Sequence, residues 1–286
     1  MHDTLILYEA ALRAGAFLFV FVLLASWEIL APRRALVTSK AKRWLANLSI
    51  LIINTTLVRV FLPAAAVGIA VVAEQRHIGL LHTISLPYPL AVLLAVVALD
   101  LAIYFQHVMF HAVPLLWRLH RAHHADLDFD VTTGTRFHPI EMVLSILIKI
   151  AVIFVLGAPV LAVFIFETLL NISSMFNHSN IRIPEQIDKL LGNFVVTPDM
   201  HRVHHSIFGD ETNRNFGFNL PWWDHLFGTY QAQPRSGHEQ MVIGIPAFRE
   251  PQLCTTLPGI LSIPFLNEYS DPSVKHHDVS YPARRV

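Results

Sequence analysis

LPYPLAVLLAVVALDLAIYFQHVMFH, Leu86 to His111, decides how the rest of this chain is read. From Leu86 to Phe110 it is an almost unbroken apolar run, longer than the roughly 20 residues a helix needs to cross a hydrocarbon core. Near its end come His107 and His111, four residues apart and therefore on one helical face. A span that ends in paired imidazoles raises two questions together: how many such spans there are, and what the histidines hold.

The apolar character extends well beyond this stretch. Of 286 residues, 53% are hydrophobic and 15% charged, and the mean hydropathy of +0.48 is too high for an ordinary soluble enzyme of this size. Further runs cover Leu5 to Leu30, Trp44 to Ala73 and Ile140 to Leu170. The last contains Gly157, Ala158 and Pro159, where a helix breaks readily, so it reads as two helices joined by a tight hairpin. The predicted fold is all-α, a polytopic membrane protein with four to five spanning helices. The first run has an early acidic residue and no small-residue cleavage site behind it, which marks an anchor that stays in place. Arg13, Arg59 and Lys149 fall inside these runs. A charge in hydrocarbon costs at least about 2.5 kcal/mol, so they are expected to snorkel or to face the bundle interior. With zero formal charge and a pI near 7.3, the chain has no basic face for a nucleic-acid backbone.

Orientation follows from Arg33, Arg34, Lys40, Lys42 and Arg43, a short basic loop without an acid, normally retained in the cytoplasm. Counting spans onward brings every histidine cluster to that same side, in a cytoplasmic histidine-rich helical cap. Three regions are expected: residues 1–99 as an N-terminal membrane-spanning region, 100–230 as a histidine-box catalytic domain of spans plus cap, and 231–286 as a C-terminal cytoplasmic tail.

Beyond the His107 and His111 pair, the chain spells H-x-x-H-H twice, HRAHH at His120 to His124 and HRVHH at His201 to His205. On a helix His120, His123 and His124 share a face, as do His201, His204 and His205. Neutral imidazole is the commonest protein metal ligand and suits iron, zinc, copper and nickel. These eight rings, with His178 as a ninth, exceed what one tetrahedral zinc accepts and suit two metals. The single cysteine, Cys254, excludes an internal disulfide and any Cys-rich metal site. Asp100, Asp130, Glu141 and Asp199 are candidates to hold a ligand ring in its tautomer, and equally plain capping or solvated carboxylates. His138 precedes Pro139 and reads either as a helix cap or as a group near the metals. His2, His77, His82, His225, His238, His276 and His277 lack partners at useful spacing and read as surface residues. NLPWWDHLFGTY, Asn219 to Tyr230, reads first as an interfacial aromatic belt.

The H-x-x-x-H box and the two H-x-x-H-H boxes around membrane spans resemble the fatty acid hydroxylase and sterol desaturase superfamily. TGTRFHPIE at Thr133 to Glu141, VTPDMHRVHHS at Val196 to Ser206 and NFGFNLPWWDHLFGT at Asn215 to Thr229 resemble its flanking signatures. The resemblance covers about Asp100 to Thr229. It implies a non-haem di-iron oxygenase acting on a lipid at the cytoplasmic membrane face, with zinc able to replace iron in a purified sample. The implied ligands are His107, His111, His120, His123, His124, His178, His201, His204 and His205. One departure is that some members carry a further histidine shortly after the one matching His178, where this chain has Ser179, Asn180, Ile181 and Arg182.

An unactivated C–H bond yields to no side-chain acid or base, so hydroxylating or desaturating a fatty acyl chain, a sterol or a related membrane lipid requires a redox metal with oxygen. The chain has neither a dinucleotide fingerprint nor a cysteine cluster, which implies a separate reductase or small electron carrier. The membrane would be the plasma or inner membrane in a bacterium and the endoplasmic reticulum in a eukaryote. Two rivals stand beside this reading: a non-catalytic histidine-rich metal carrier, whose site would lie near the bilayer midplane, and a zinc hydrolase, which His238-Glu239 does not support because the second histidine of H-E-x-x-H is missing.

Overall fold

The computed structural model describes residues 2–62 and 65–268. Among the described residues it is helical, with isolated β-bridges such as Ser206 to Ile243 in place of strands. Five segments are long and apolar enough to cross a membrane: Tyr8–Leu30, Lys40–His82, Tyr88–Ala112, Pro139–Leu156 and Val160–Asn177.

The helices are α1 (His2–Leu30), α2 (Lys40–Phe61), α3 (Ala65–Gln75), α4 (Tyr88–Ala112), α5 (Pro114–His124), α6 (Pro139–Leu156), α7 (Val160–Asn177), α8 (Glu185–Leu191) and α9 (Pro198–His204). Local chemistry sets their ends. Prolines open α4, α5, α6 and α9, where a missing N–H costs nothing. The expected hairpin is present: α6 stops at Gly157, which has φ of +64°, and Pro159 starts α7. A side chain on Gly157 would be strained and would also meet the Ile78 carbonyl oxygen, its Cβ only 2.4 Å away.

Inside the bundle, Ala66 and Ala70 of α3, Ala95, Leu99 and Ile103 of α4, Ile153 of α6 and Ala162, Val163 and Phe166 of α7 form one core. Its small residues let the helices approach closely, the usual basis of helix packing in lipid. Outward faces are bare and apolar, including Leu18, Phe19 and Val22 of α1 and Leu93 and Leu94 of α4. The charges inside the runs have separate solutions. Lys149 donates to Glu167 at 2.6 Å and Arg13 donates to the same carboxylate at 3.0 Å, whereas Arg59 is exposed.

The second apolar run, Trp44 to Ala73, falls within the single candidate span Lys40–His82. It is two helices, α2 and α3, and α2 buries a polar stripe of Arg43, Asn47 and Asn54. The stripe has a partner. Leu119 to Arg136 is buried without interruption, and buried backbone and carboxylates must find hydrogen bonds. Arg43 donates to Asp126 at 2.7 and 2.8 Å and to Asp130 at 2.5 Å. Asn47 donates to Thr132, Asn54 to the Phe137 carbonyl, and the Val37 and Thr38 amides to Asp128. Against the cost of burial, the Arg43 and Arg136 guanidiniums hold the Asp126 carboxyl down at about 2. Arg43, read from sequence as part of the short basic loop, is therefore committed inside the fold.

The described part of 231–286 is also packed. Ile245, Phe248, Cys254, Ile260 and Ile263 are buried against Ala46 and Ile50 of α2 and Ala122 of α5. Residues 269–286, with His276 and His277, lie outside the described residues, as does the side chain of His2.

Candidate metal centre

Four helix ends deliver the histidines to one place. α4 ends with His107 and His111, and the Val113-Pro114 break turns the chain into α5, which carries His120, His123 and His124. His178 caps the C-terminus of α7. In α9, Thr197 caps the N-terminus by accepting from the Met200 amide, and the helix presents His201 and His204, with His205 at its C-cap.

Nine rings meet in two groups: His107, His111, His120, His124 and His204 form one, and His123, His178, His201 and His205 the other. Within each group the candidate ligand atoms lie within 4.8 Å of one another. The groups adjoin, because His124 stacks on His205 with ring centroids 4.4 Å apart and His120 lies 5.2 Å from its α5 neighbour His123. The groups are unequal, five rings against four, and Ser179 and Asn180 follow His178. Both side chains serve the backbone, the Ser179 hydroxyl donating to the Phe176 carbonyl and the Asn180 carboxamide to the Arg34 carbonyl.

Several rings are fixed from behind. The Nδ1 of His107 bonds the Phe216 carbonyl at 2.8 Å, that of His204 the Arg214 carbonyl at 2.8 Å and that of His178 the Ser174 carbonyl at 2.7 Å. The Nδ1 of His120 bonds Glu141 at 2.6 Å. Each acceptor places the ring hydrogen on Nδ1 and leaves the Nε2 lone pair facing inward. There, Nε2 atoms face one another at 3.1 Å between His178 and His123, 3.1 Å between His201 and His178, and 3.2 Å between His124 and His120. The Nε2 atoms of His107, His111, His204 and His205 are buried without a partner.

Burial, with repulsion from neighbouring rings, pushes His178 and His204 down to about 3 and His123, His124, His201 and His205 well below the ordinary histidine range. These six rings are thus neutral, as ligation requires. Facing lone pairs and orphaned buried nitrogens are costly, about 1–3 kcal/mol for each unsatisfied group, and cations among them relieve that cost. The residues present fit metal ions.

The carboxylate and His138 candidates separate. Glu141 touches the cluster through His120. Asp100 instead accepts from the Asn219 and Leu220 amides and the Trp223 indole, fixing the segment that presents Phe216 to His107. Asp130 pairs with Arg43, and Asp199 with Arg33 and Arg202. His138 caps α6, its Nδ1 accepting from the Ile140 amide at 3.2 Å. Two groups were missed by sequence reasoning. Asp224 accepts from the Phe216 and Gly217 amides and so shapes the loop behind His107. His238 is buried rather than on the surface, 3.6 Å from Asp199 and pushed by burial down to about 4. In NLPWWDHLFGTY, Trp222 and Leu226 are exposed as in an aromatic belt, but Trp223 and Asp224 are spent on the bonds above.

Between the spans and the histidines lies a cavity of about 160 Å³, lined at one end by His107, His120, His123 and His201, two from each group. Its walls include Phe17 of α1, Leu51 of α2, Ile103 of α4 and Met142 of α6.

A helical membrane protein whose spans carry paired histidine groups at one end of the bundle is the class that this geometry defines. Residues 92–229 match the profile of the fatty acid hydroxylase family. An ornithine lipid hydroxylase of Rhizobium tropici is 31% identical over 181 residues, which is 60% of this chain and 54% of that protein. Alkylglycerol monooxygenase of Homo sapiens is 28% identical over 155 residues, 53% of this chain and 32% of that protein. The Xenopus tropicalis alkylglycerol monooxygenase is 31% identical over 139 residues, 48% and 30% of the two chains. The chain thus spans about half or less of the length of these relatives. No solved structure matches it.

Proposed function

We propose that this protein is an oxygen-dependent, non-haem di-iron oxidoreductase that hydroxylates a membrane lipid. The observation that carries the reading is the pair of adjoining histidine groups, two rings of each lining a cavity that is walled largely by side chains from the apolar spans. Two iron ions, one in each group, would supply with oxygen the oxidising power that breaks an unactivated C–H bond. The protein's own residues do the rest. His107, His111, His120, His124 and His204 would hold one ion, and His123, His178, His201 and His205 the other. Glu141 keeps the His120 ring in its ligating tautomer. Phe17 and Leu51 line the cavity from α1 and α2, whose outer faces are exposed and apolar, so a lipid would enter sideways from the bilayer. The walls then exclude water and set one carbon beside the histidines.

Two relatives named as a hydroxylase and a monooxygenase support oxygen insertion over desaturation. We place the histidines on the cytoplasmic side, within reach of an external reductase or small electron carrier, in the plasma or inner membrane of a bacterium or the endoplasmic reticulum of a eukaryote. The test is twofold. Purified protein should carry two irons, with chiefly one of them lost in His123→Ala or in His204→Ala, and expression in a lipid-producing host should yield a lipid with one added oxygen. Iron-free protein, no altered lipid, and metal flux into vesicles containing the pure chain would together favour a carrier instead.

A further inference from the structure

The cavity is not uniformly greasy. Gln106 of α4, Ser145 and Lys149 of α6 and Asn171 of α7 all line it, within segments apolar enough to span a membrane. Polar side chains at such a depth are expensive and mark ligand pathways. Lys149 spends one N–H on Glu167. The Gln106 amide donates to the Ser145 hydroxyl at 3.0 Å, and the amide oxygen of Gln106 is buried without a partner.

That pair has a definite unspent capacity. With the Gln106 N–H on the Ser145 oxygen, the Gln106 carbonyl still accepts and the Ser145 hydroxyl still donates. With the amide turned over, the Ser145 hydroxyl donates to Gln106, whose NH₂ group is then free to donate while the serine oxygen accepts. Either way one donor and one acceptor stay unspent on two residues that line the cavity. The group that satisfies both gives and takes a hydrogen bond; a hydroxyl or a secondary amide does so, whereas an ester only accepts and an alkyl chain does neither.

Position adds a second constraint. Gln106 is the residue before His107, and Ser145 lies four residues, about 6 Å along α6, from Glu141, which holds His120. We infer that the cavity selects a lipid bearing a hydroxyl or amide held by Gln106 and Ser145, and that the carbon presented to the histidines lies within a few bonds of that group rather than far along an alkyl tail. This rests on the lipid-oxidising reading of the site and names the class of substrate it takes. Gln106 and Ser145 are specificity-determining residues in this scheme.

Binding tests it without turnover. The full chain in nanodiscs, without a reductant, is offered hexadecanol, N-methylhexadecanamide, methyl hexadecanoate and hexadecane, and occupancy is read by native mass spectrometry. The alcohol and the amide should bind at least about tenfold more tightly than the ester and the alkane. Gln106→Leu and Ser145→Ala should each bring the alcohol and the amide down to the level of the ester and leave hexadecane unchanged. Equal affinity of the wild type for all four probes overturns the inference, as does a preference that survives both substitutions; if neither variant folds, the wild-type comparison alone decides. A protein that oxidises lipid yet shows no preference loses this inference and keeps the proposed function. One that prefers the alcohol and amide but never carries iron or oxidises lipid does the reverse.

Discussion

In the group of five histidines, three rings are held through Nδ1 by hydrogen bonds, His107 to Phe216, His204 to Arg214 and His120 to Glu141. In the group of four only His178 is held this way, by the Ser174 carbonyl, and the Nδ1 atoms of His123, His201 and His205 are buried without partners. What orients those rings is aromatic packing: Phe137 stacks on His123 at 4.6 Å and Phe129 lies 5.5 Å from His178 and 5.1 Å from His205. A hydrogen bond sets tautomer and ring angle together, and a carboxylate also raises the basicity of its ring. Packing sets the angle alone. The five-histidine group should therefore hold its metal more tightly, and a chelator should strip the protein in two phases.

The largest effect comes from removing a ring. His204→Ala in one group and His178→Ala in the other should each abolish lipid oxidation, while metal analysis shows chiefly one ion lost per chain. Retention of both ions in either variant would break the two-group assignment. Arg43→Met should cost about 3–5 kcal/mol of stability, because Asp126 and Asp130 are left as buried charges without their main partner. The loop they anchor follows directly on His124, and Arg43 favours neither group. A fall in thermal midpoint with both metals lost in parallel is the expected outcome, and selective loss of one would contradict it.

These contrasts also explain what the sequence could reveal. The nine histidines were legible because helical spacing puts each box on one face and the spans bring the boxes to one end. The hairpin at Gly157 and Pro159 was legible for an equally local reason. Arg43 was not, since a basic residue in a short loop and one that opens a buried ion web look alike until Asp126 and Asp130, some 80 residues later, are placed beside it. Asp100, Asp199 and Glu141 were equal candidates by proximity in sequence. Only the fold separates Glu141, which reaches a ring, from Asp100, which fixes a loop. The buried polar face of α2 was hidden as well, because lipid-facing Leu45 and Ile52 dominate its composition while Asn47 and Asn54 face the cap.

Glu141→Gln sharpens the comparison at a smaller magnitude. The amide fills nearly the same space and still accepts from His120, but loses its charge, so metal affinity should fall about 10- to 100-fold. The change should appear in only one phase of a chelator titration. Equal weakening of both phases would mean that Glu141 acts on the whole cluster.

Phe129→Leu is the mildest case and the most selective. Phe129 is fully buried and packs against His178 and His205, both in the group of four, and its nearest ring in α9 is His201 of that same group. Leucine is apolar but smaller and lacks the flat face, so the fold should lose no more than a few kcal/mol. His205 and His201 gain freedom to turn because their Nδ1 atoms are unbonded, whereas His178 keeps its bond to the Ser174 carbonyl. Metal in the four-histidine group should therefore dissociate several-fold faster while the slow phase, belonging to the five, stays where it was. An unchanged fast phase would show that backbone position alone orients those rings, and the distinction between bonded and packed histidines would then have no consequence for metal retention.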